Sequence, residues 1–396
     1  MGEDEEAITL DDALWDRVVQ ITGGAASACF QCGVCTAACP WGLVRGESLS
    51  VRTIIRRAQL GMERNGADLW LCTTCRQCAA LCPRGVDIPG VINSLRQEAW
   101  RERAVPKGLA SLMWDVHWDG NPWGQPPSQR YAWAKGLDLE PYGPNRDVLF
   151  YIGCSATYDR RLQKVARALV SIMQAAGVSF GVLGEGEPCC GEAVQAVGQE
   201  GYLNEIVETN TRLFQELGVR TLVTVSPHCY DIFATRYPVG DAFRPLHYTQ
   251  FLAELAAAGK LPGLKADATV TYHDPCFLGR THGVYEEPRQ VLASISGVDL
   301  REMDNNREMA LCCGGGGGRM WMETPAEERF AVIRAREALA TGAEIIATAC
   351  PACLSCLEDG LKVVNADNMR VMDVAEIVAM ALTPVKEAVA SGGGRA

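Results

Sequence analysis

Hydrophobic and polar positions follow two different patterns along the chain. Before residue 147, apolar positions recur at helical spacing in separate stretches, which predicts helices at 12–21, 51–62 and 91–105. From Asp147 onward, short apolar runs such as 148–154 alternate with amphipathic stretches such as 162–176. This alternation is typical of a parallel β-sheet covered by helices. The pattern therefore predicts a multidomain protein with a mainly α-helical N-terminal module and an α/β remainder.

The α/β part repeats itself. The runs at 148–154 and 221–227 recur as 269–276 and 344–351, with helices predicted at 287–295 and 325–340. Equivalent cysteines are separated by 122 to 124 residues, and the pairs are Cys154 and Cys276, Cys189 and Cys312, Cys190 and Cys313, and Cys229 and Cys353. Offsets that stay this constant over a whole domain indicate duplication. The predicted divisions are a helical module (1–113), a Trp- and Pro-rich linker (114–146), two α/β domains with parallel sheets (147–262 and 263–385) and a flexible tail (386–396).

Composition and charge narrow the function classes. The 396 residues are 48% hydrophobic and 21% charged, which is typical of a globular chain and excludes a disordered or fibrous one. A net charge of −11 argues against nucleic acid as a partner. No apolar run approaches the length of a membrane span, and the start of the chain is acidic where a signal peptide needs positive charge. We expect a cytoplasmic protein that meets a membrane only through a partner.

Cysteine is the residue that departs most from average use. The chain has 18 cysteines, most of them in short clusters, and no secretory signal. Cysteines that cluster in a chain of this kind indicate metal or redox chemistry rather than a disulfide framework.

Two runs near the N-terminus have the spacing of bacterial ferredoxins. Each reads Cys-x2-Cys-x2-Cys-x3-Cys-Pro, one at 29–40 and one at 72–83. In that pattern three thiolates hold one 4Fe-4S cluster and the fourth serves the other cluster. The predicted ligand sets are Cys29, Cys32, Cys35 and Cys82 for the first cluster, and Cys72, Cys75, Cys78 and Cys39 for the second. Zinc is the alternative occupant, but the spacing and the repeated Cys-Pro favour iron–sulfur clusters.

The α/β repeats carry a second kind of cysteine set. In the second copy it consists of Cys276, Cys312, Cys313, Cys350 and Cys353. Because strand ends of an open parallel sheet meet at one edge, these five thiolates could converge. The first copy has Cys154, Cys189, Cys190 and Cys229, with Ser226 at the position of the fifth cysteine.

These motifs resemble the CCG-domain iron–sulfur oxidoreductases, which include heterodisulfide reductase subunits and iron–sulfur subunits that partner glycolate oxidase or electron-transfer flavoproteins. The resemblance covers residues 25–385 and is carried by the paired ferredoxin runs, HDPCFLGR (273–280), LCCGGGGGRMW (311–321) and ACPAC (349–353). It implies a noncubane 4Fe-4S cluster on the five cysteines of the second copy, at which a disulfide can be cleaved in one-electron steps. Because a serine hydroxyl is a poor iron ligand, the first copy is expected to hold an altered cluster or none.

Several neighbouring residues have two possible roles. His273 and His228 could donate protons or hydrogen-bond to cluster sulfur. Arg319 could balance the charge of a cluster or substrate, or form a surface salt bridge. The run Gly314–Gly318 lacks the Lys-Ser/Thr of a phosphate loop and is expected to permit close backbone approach to the cluster. Cys356 is expected to be a buried neighbour, whereas three histidines stay unassigned, namely His117, His247 and His282.

The function predicted from these features is an oxidoreductase subunit that passes single electrons through two 4Fe-4S clusters to a CCG-type cluster. Its expected partners are a flavoprotein, a ferredoxin or a membrane quinone-linked subunit. Disulfide chemistry at the second copy is the alternative, and a zinc-binding structural module is the alternative from another class. Between Arg45 and Lys107, eleven Lys or Arg outnumber six Asp or Glu. With Arg52, Arg56 and Arg57 on one helix, the N-terminal module is expected to dock an acidic redox partner.

Overall fold

The computed structural model describes residues 10–45, 49–62, 66–238, 243–261 and 263–382. The tail predicted at 386–396 lies outside these residues. Within the described residues up to 119, the chain forms α-helices joined by loops and 3-10 turns. The helices are α1 (Leu14–Ile21), α2 (Val34–Ala37), α3 (Val51–Gln59), α4 (Gln77–Ala80), α5 (Ile88–Arg101) and α6 (Lys107–Asp119). Loops carrying the ferredoxin-type cysteines surround the short helices α2 and α4.

The first α/β domain contains a parallel sheet with the strand order β2-β1-β3-β4. Its strands are β1 (Val148–Tyr151), β2 (Phe180–Gly181), β3 (Thr221–Thr224) and β4 (Arg244–His247). Its helices are α7 (Cys154–Tyr158), α8 (Gln163–Ala175), α9 (Glu192–Ala196), α10 (Glu200–Glu216), α11 (Pro227–Thr235) and α12 (Tyr248–Ala257).

The second α/β domain repeats this topology with the strand order β6-β5-β7-β8, again all parallel. Its strands are β5 (Lys265–His273), β6 (Ser296–Leu300), β7 (Ile345–Thr348) and β8 (Arg370–Asp373). Its helices are α13 (Gly279–His282), α14 (Glu286–Ala293), α15 (Phe330–Ala340), α16 (Pro351–Val363) and α17 (Val374–Ala381). The predicted fold class, a helical module followed by two duplicated α/β domains, is confirmed.

The two α/β domains share one apolar core. Helix α8 of the first domain packs against α17 of the second, and the equivalent pair α12 and α14 packs in the same way. The helix starts of α12 and α17 also meet, since the Tyr248 hydroxyl donates to Asp373 Oδ1 at 2.5 Å. The duplicated halves are therefore related by an approximate two-fold arrangement that brings their sites to a common region.

Arg96 of α5 joins all three parts of the molecule. Its guanidinium is fully buried and donates to four backbone carbonyls, namely those of Leu69, Cys72, Ala196 and Gly317. Two of these carbonyls belong to the helical module, one to the first α/β domain and one to the second. Because any movement of one part would leave buried N–H groups of Arg96 unpaired, these bonds fix the relative position of the three parts.

The Trp- and Pro-rich segment is more ordered than a surface linker. Helix α6 continues to Asp119, past the predicted end of the helical module at 113. Trp133 is buried, whereas Trp114 and Trp118 are 62% and 72% exposed and stack on each other. Trp133 therefore anchors the segment by packing, and the exposed pair does not.

Candidate functional site

The two ferredoxin-type loops have matching backbone conformations. In the first run Gln31 and Gly33 have φ angles of 66° and 89°, and in the second run Thr74 and Arg76 have φ angles of 52° and 62°. These residues occupy the same places in the two cysteine motifs. Left-handed conformations of non-glycine residues are costly and persist where the surroundings require them. Both loops are thus curled in the same way around a central space.

Four sulfurs line each of the two central spaces. The first pocket is lined by the thiols of Cys29, Cys32, Cys35 and Cys82. It lies close to the surface, because Cys32 and the neighbouring Phe30 are exposed. The Gln31 side-chain amide donates to Cys29 Sγ at 3.5 Å.

The second pocket is lined by the thiols of Cys39, Cys72, Cys75 and Cys78. The Thr74 N–H donates to Cys72 Sγ at 3.4 Å, which is the kind of contact that stabilises a sulfur ligand. Burial raises the pKa of Cys39 to about 12 and also raises the pKa of Cys78. Thiolates at these positions therefore need a cation to offset their lost hydration.

The second pocket adjoins the second α/β domain. The Cys75 thiol faces the Cys312 thiol, and the Thr73 hydroxyl lies 3.8 Å from Cys312 Sγ. Arg280 holds this contact, since its guanidinium donates to the Cys75 carbonyl at 2.7 Å and to the Ala310 carbonyl at 2.6 Å. The helical module and the second copy therefore meet sulfur to sulfur.

The glycine run makes this contact possible. A Cβ at Gly316 would lie 2.4 Å from the Thr73 carbonyl oxygen, and a Cβ at Gly317 would lie 2.3 Å from the Cys72 carbonyl oxygen. The run was expected to permit close backbone approach. The neighbour that approaches it is the backbone of the second ferredoxin-type loop.

The five cysteines of the second copy are all buried and lie at the carboxyl ends of the central strands β5 and β7 and in the intervening loop. Hydrogen bonds connect Cys312 to Cys276 and to Cys313, and Cys313 Sγ lies 3.3 Å from Cys353 Sγ. Backbone amides again point at sulfur. The Gly314 N–H donates to Cys312 Sγ at 3.3 Å, and the Cys353 N–H, in the first turn of α16, donates to Cys350 Sγ at 3.5 Å.

His273 lies at the end of β5, beside these sulfurs. One of its ring nitrogens and the sulfurs of Cys313 and Cys353 all lie within 4.8 Å of one another. The Arg334 Nε–H donates to His273 Nδ1 at 3.1 Å. Burial and the charge of Arg334 hold the pKa of His273 well below its usual range.

The first copy brings four thiols together, but its surroundings differ. Cys154 is hydrogen bonded to Cys189, and Cys190 Sγ lies 3.4 Å from Cys229 Sγ. Arg130 enters from the segment predicted as a linker and places a guanidinium nitrogen 3.5 Å from Cys154 Sγ. Ser226 caps α11 by accepting the His228 N–H at 3.2 Å. Cys350 caps α16 in the same way, so the first copy differs at this place in having a hydroxyl instead of a thiol.

His228 connects the two copies. Its Nδ1 lies 3.0 Å from Glu192 Oε1, and its side chain is hydrogen bonded to Cys350 of the second copy. Burial by itself raises the pKa of Cys350. Hydrogen bonds from Cys353 and His228, together with the His228 charge, outweigh that effect and lower the pKa of Cys350 to about 5.

A pocket open to the surface reaches the second copy. Cys313, Arg319, Arg329, Cys356 and Trp41 are among its lining residues. Arg319 is 7% exposed, donates to the Thr324 hydroxyl at 2.5 Å, and forms no salt bridge with any described residue. Cys356, expected to be buried, is partly exposed in this pocket.

Sequence reasoning did not single out the arginines that organise the site. Arg96, Arg130, Arg280 and Arg334 act through distant partners, and only Arg280 lies inside one of the family motifs. The three unassigned histidines have structural contacts. His247 caps α12, His282 lies 2.9 Å from Asp231 across the domain boundary, and His117 packs on Trp118.

Comparison with known families agrees with the duplicated architecture. The model of the 4Fe-4S dicluster domain matches residues 25–86, and the model of the cysteine-rich domain called CCG matches residues 148–233 and 270–358. None of the helices in the described part of the chain combines the length and apolar character that crossing a bilayer requires.

Curated relatives share this arrangement. The EtfAB:quinone oxidoreductase of Syntrophomonas wolfei and the "Probable iron-sulfur-binding oxidoreductase FadF" of Bacillus subtilis are each 36% identical over 328 residues, covering 78% and 80% of this chain. The chain spans only 46% of the length of each of these two proteins. One subunit of the dihydromethanophenazine:CoB–CoM heterodisulfide reductase of Methanosarcina barkeri is 31% identical over 391 residues, covering 90% of this chain and 93% of that subunit. The chain therefore belongs to the CCG-domain iron–sulfur oxidoreductases, the family of this heterodisulfide reductase subunit.

Proposed function

We propose that this chain is an electron-relay subunit that connects a redox partner at its helical module to the second CCG copy. The ligands are Cys29, Cys32, Cys35 and Cys82 for one 4Fe-4S cluster, and Cys39, Cys72, Cys75 and Cys78 for the other. The second copy holds a noncubane 4Fe-4S cluster through Cys276, Cys312, Cys313, Cys350 and Cys353. Clusters bound at these sites would carry one electron at a time.

The close approach of the Cys75 and Cys312 thiols is the observation that carries this proposal. It joins a ligand of the second ferredoxin-type site to a ligand of the CCG site. The first ferredoxin-type pocket, with its exposed Cys32, supplies the end that a partner can reach. The three sites thus form an ordered series from the surface to the second copy.

The residues present fit these groups. Each ferredoxin-type pocket has four convergent sulfurs in a preformed loop, and the second copy has five buried thiols with backbone N–H donors. The first copy fits a noncubane cluster poorly, because Ser226 replaces a thiol and Arg130 stands against Cys154. We therefore assign the working CCG site to the second copy.

The partners we propose are a flavoprotein, a ferredoxin or a quinone-linked membrane subunit. The name of the Syntrophomonas relative, an EtfAB:quinone oxidoreductase, supports the flavoprotein and the quinone. Because this chain spans about half of that protein, the steps that the other half performs are not assigned to these residues. Association with a membrane would occur through a partner.

Reduction of a disulfide is the second candidate function, and the pocket at Cys313 favours it. Arg319 and Arg329 in its lining would bind an anionic substrate near the sulfur. Such a reaction takes two electrons and two protons per disulfide and yields two thiols, with the electrons supplied singly by the redox partner. The heterodisulfide reductase relative supports this candidate by its name.

An anaerobic turnover experiment tests the proposal. Protein purified without oxygen is reduced with methyl viologen, and the reduced protein is mixed either with a water-soluble quinone or with a small anionic disulfide. If the chain is a relay subunit, the quinone reoxidises the reduced protein, either directly or only when the copurified partner is present. The disulfide stays intact. Release of two thiols per two electrons supports the second candidate instead. Zinc in place of iron would refute both.

A further inference from the structure

His273 has one ring nitrogen engaged and one left free. The residue is fully buried at the end of β5. Its Nδ1 receives the Arg334 Nε–H at 3.1 Å, whereas its Nε2 is buried and has no hydrogen-bond partner among the described residues. A buried polar atom left without a partner is unusual and points to a group that it is meant to meet.

The contact with Arg334 fixes the tautomer of the imidazole. A guanidinium has only N–H donors and no acceptor, so Nδ1 must offer its lone pair. The single ring proton of a neutral imidazole must then be on Nε2. His273 therefore presents an N–H donor, not a lone pair, at its free nitrogen.

His273 belongs to a group that looks at first like a metal site. One ring nitrogen of His273 lies within 4.8 Å of the sulfurs of Cys313 and Cys353, and all three residues are buried. A histidine that binds a metal through Nε2 needs a lone pair there and commonly donates its Nδ1–H to an acceptor. Arg334 imposes the opposite arrangement, with the lone pair on Nδ1 and the proton on Nε2. In this form Nε2 can donate a hydrogen bond to sulfur.

Arg334 is itself held firmly. It is fully buried, donates to the Asn305 carbonyl at 2.7 Å and forms an ion pair of 2.7 Å with Glu337. The guanidinium cannot turn away without losing these contacts. The imidazole is thus kept in one tautomer by a second residue whose own hydrogen bonds go to His273, Asn305 and Glu337.

The first copy lacks this donor. Tyr151 occupies the place of His273, three residues before the first cysteine of its domain. Its hydroxyl donates to the Pro188 carbonyl at 2.6 Å, so it is not available to sulfur. The donor is therefore particular to the copy that has five thiols.

We propose that His273 is neither an iron ligand nor a proton donor, but a tuning residue whose Nε2–H, oriented by Arg334, hydrogen-bonds to sulfur at the second CCG site. This inference rests on the proposed cluster at that site. A hydrogen bond to a thiolate or a cluster sulfur stabilises the more negative, reduced state and raises the reduction potential. His273 thereby favours electron arrival at the second copy.

An EPR-monitored redox titration of the fully loaded protein tests this role. His273→Phe removes the donor and should shift the one-electron equilibrium of the CCG signal about tenfold toward the oxidised form, a drop of about 59 mV. The signals of the two ferredoxin-type clusters should keep their potentials. Tyr151→Phe, the matched change in the first copy, should leave all three potentials unchanged, and Arg334→Lys, which keeps a donor for Nδ1, should shift the CCG potential less than Arg334→Met.

A second measurement uses the unchanged protein and so does not depend on how a variant folds. In protein with 15N-labelled histidine, pulsed EPR of the CCG signal should show an exchangeable proton that disappears in D2O, without the strong coupling of an iron-bound nitrogen. A coupling of that strength, or an unshifted potential in His273→Phe, would refute the proposal. Complete absence of a CCG signal in the unchanged protein would instead refute the proposed function.

Discussion

The thiols of Cys75 and Cys312 face each other, although one belongs to the helical module and the other to the second α/β domain. Arg280 and the glycine run maintain this contact from the domain side. Because both cysteines are proposed cluster ligands, the contact brings two redox centres into direct neighbourhood. We therefore expect that variants can change the metal content, the electron transfer across this contact and the entry of electrons independently of one another.

Iron content is the first prediction. The complete sets in the helical module and in the second copy should bind about twelve irons per chain, four for each cluster, in protein purified anaerobically. Loading of the first copy despite Ser226 would raise the number to about sixteen. Metal analysis with acid-labile sulfide measures this. Eight irons, or zinc in their place, would contradict a cluster on the second copy.

The two CCG copies should respond differently to the same substitution. Cys313→Ala should abolish turnover and remove only the CCG signal from the EPR spectrum, since it deletes a ligand of the five-thiol set. Cys190→Ala, the equivalent change in the first copy, should retain most of the activity. Equal losses in the two variants would show that the first copy is also a working site.

Close packing at the glycine run should control the rate at which electrons cross between the module and the domain. A Cβ at Gly316 would lie 2.4 Å from the Thr73 carbonyl oxygen, so Gly316→Ala must push the two backbones apart. Stopped-flow mixing with reduced viologen should show normal reduction of the ferredoxin-type clusters and roughly tenfold slower arrival at the CCG site. Gly143→Ala is the control, because nothing lies within 4 Å of its added Cβ. An unchanged rate in Gly316→Ala would mean that electrons take another route.

The basic surface of α3 should steer the redox partner. Arg56 and Arg57 are exposed and form no ion pair with any other described residue. Reversing both to Glu should slow electron entry from an acidic partner roughly tenfold or more at low salt, because steering depends on charge and is screened by ions. Reduction by methyl viologen should not change.

The control is a double variant in which two arginines on another surface are replaced by Glu. Arg212 and Arg220 are exposed on the first α/β domain, and their reversal to Glu should leave partner-driven reduction intact. If both double variants slow entry equally, net charge rather than a docking site is responsible.

Arg96 should make a large contribution to stability. Arg96→Met leaves four buried carbonyls without a donor, at about 1–3 kcal/mol for each unpaired group. We expect a loss of several kcal/mol in the free energy of unfolding and a separate transition for the helical module, measured by chemical denaturation of the loaded protein. Arg101→Met on the same helix should cost less than about 1 kcal/mol, because the Arg101 side chain is 60% exposed and Glu98 keeps its ion pair with Arg17. A small effect at Arg96 would mean that apolar packing alone joins the three parts.

The spacing of cysteines and apolar runs was enough to predict the order of elements and the duplication. Predicted helices at 12–21 and 162–176 correspond to α1 and α8, and the apolar run at 148–154 contains β1. Local patterns carry this information because helix and strand periodicity, and the turns of a Cys-x2-Cys loop, depend on residues close in the chain. The pairs of equivalent cysteines could also be predicted from the sequence, because duplication preserves spacing along the chain.

The contacts between the helical module and the two α/β domains could not be predicted from local sequence patterns. Arg96 and Arg334 look in the sequence like ordinary charged residues of amphipathic helices, yet both are fully buried and bind groups far away in the chain. The pattern also gave no sign that Arg130 reaches Cys154 from the predicted linker.

By itself, the sequence determined the fold class, the cysteine sets and the family, because each depends on spacing along the chain. Only the tertiary structure decided that the second ferredoxin-type loop lies against Cys312, and that His228 of one copy contacts Cys350 of the other. It also decided which nitrogen of His273 is free. The physical reason is that these contacts satisfy buried donors and acceptors whose partners are set by how whole domains pack, and no local pattern encodes that packing.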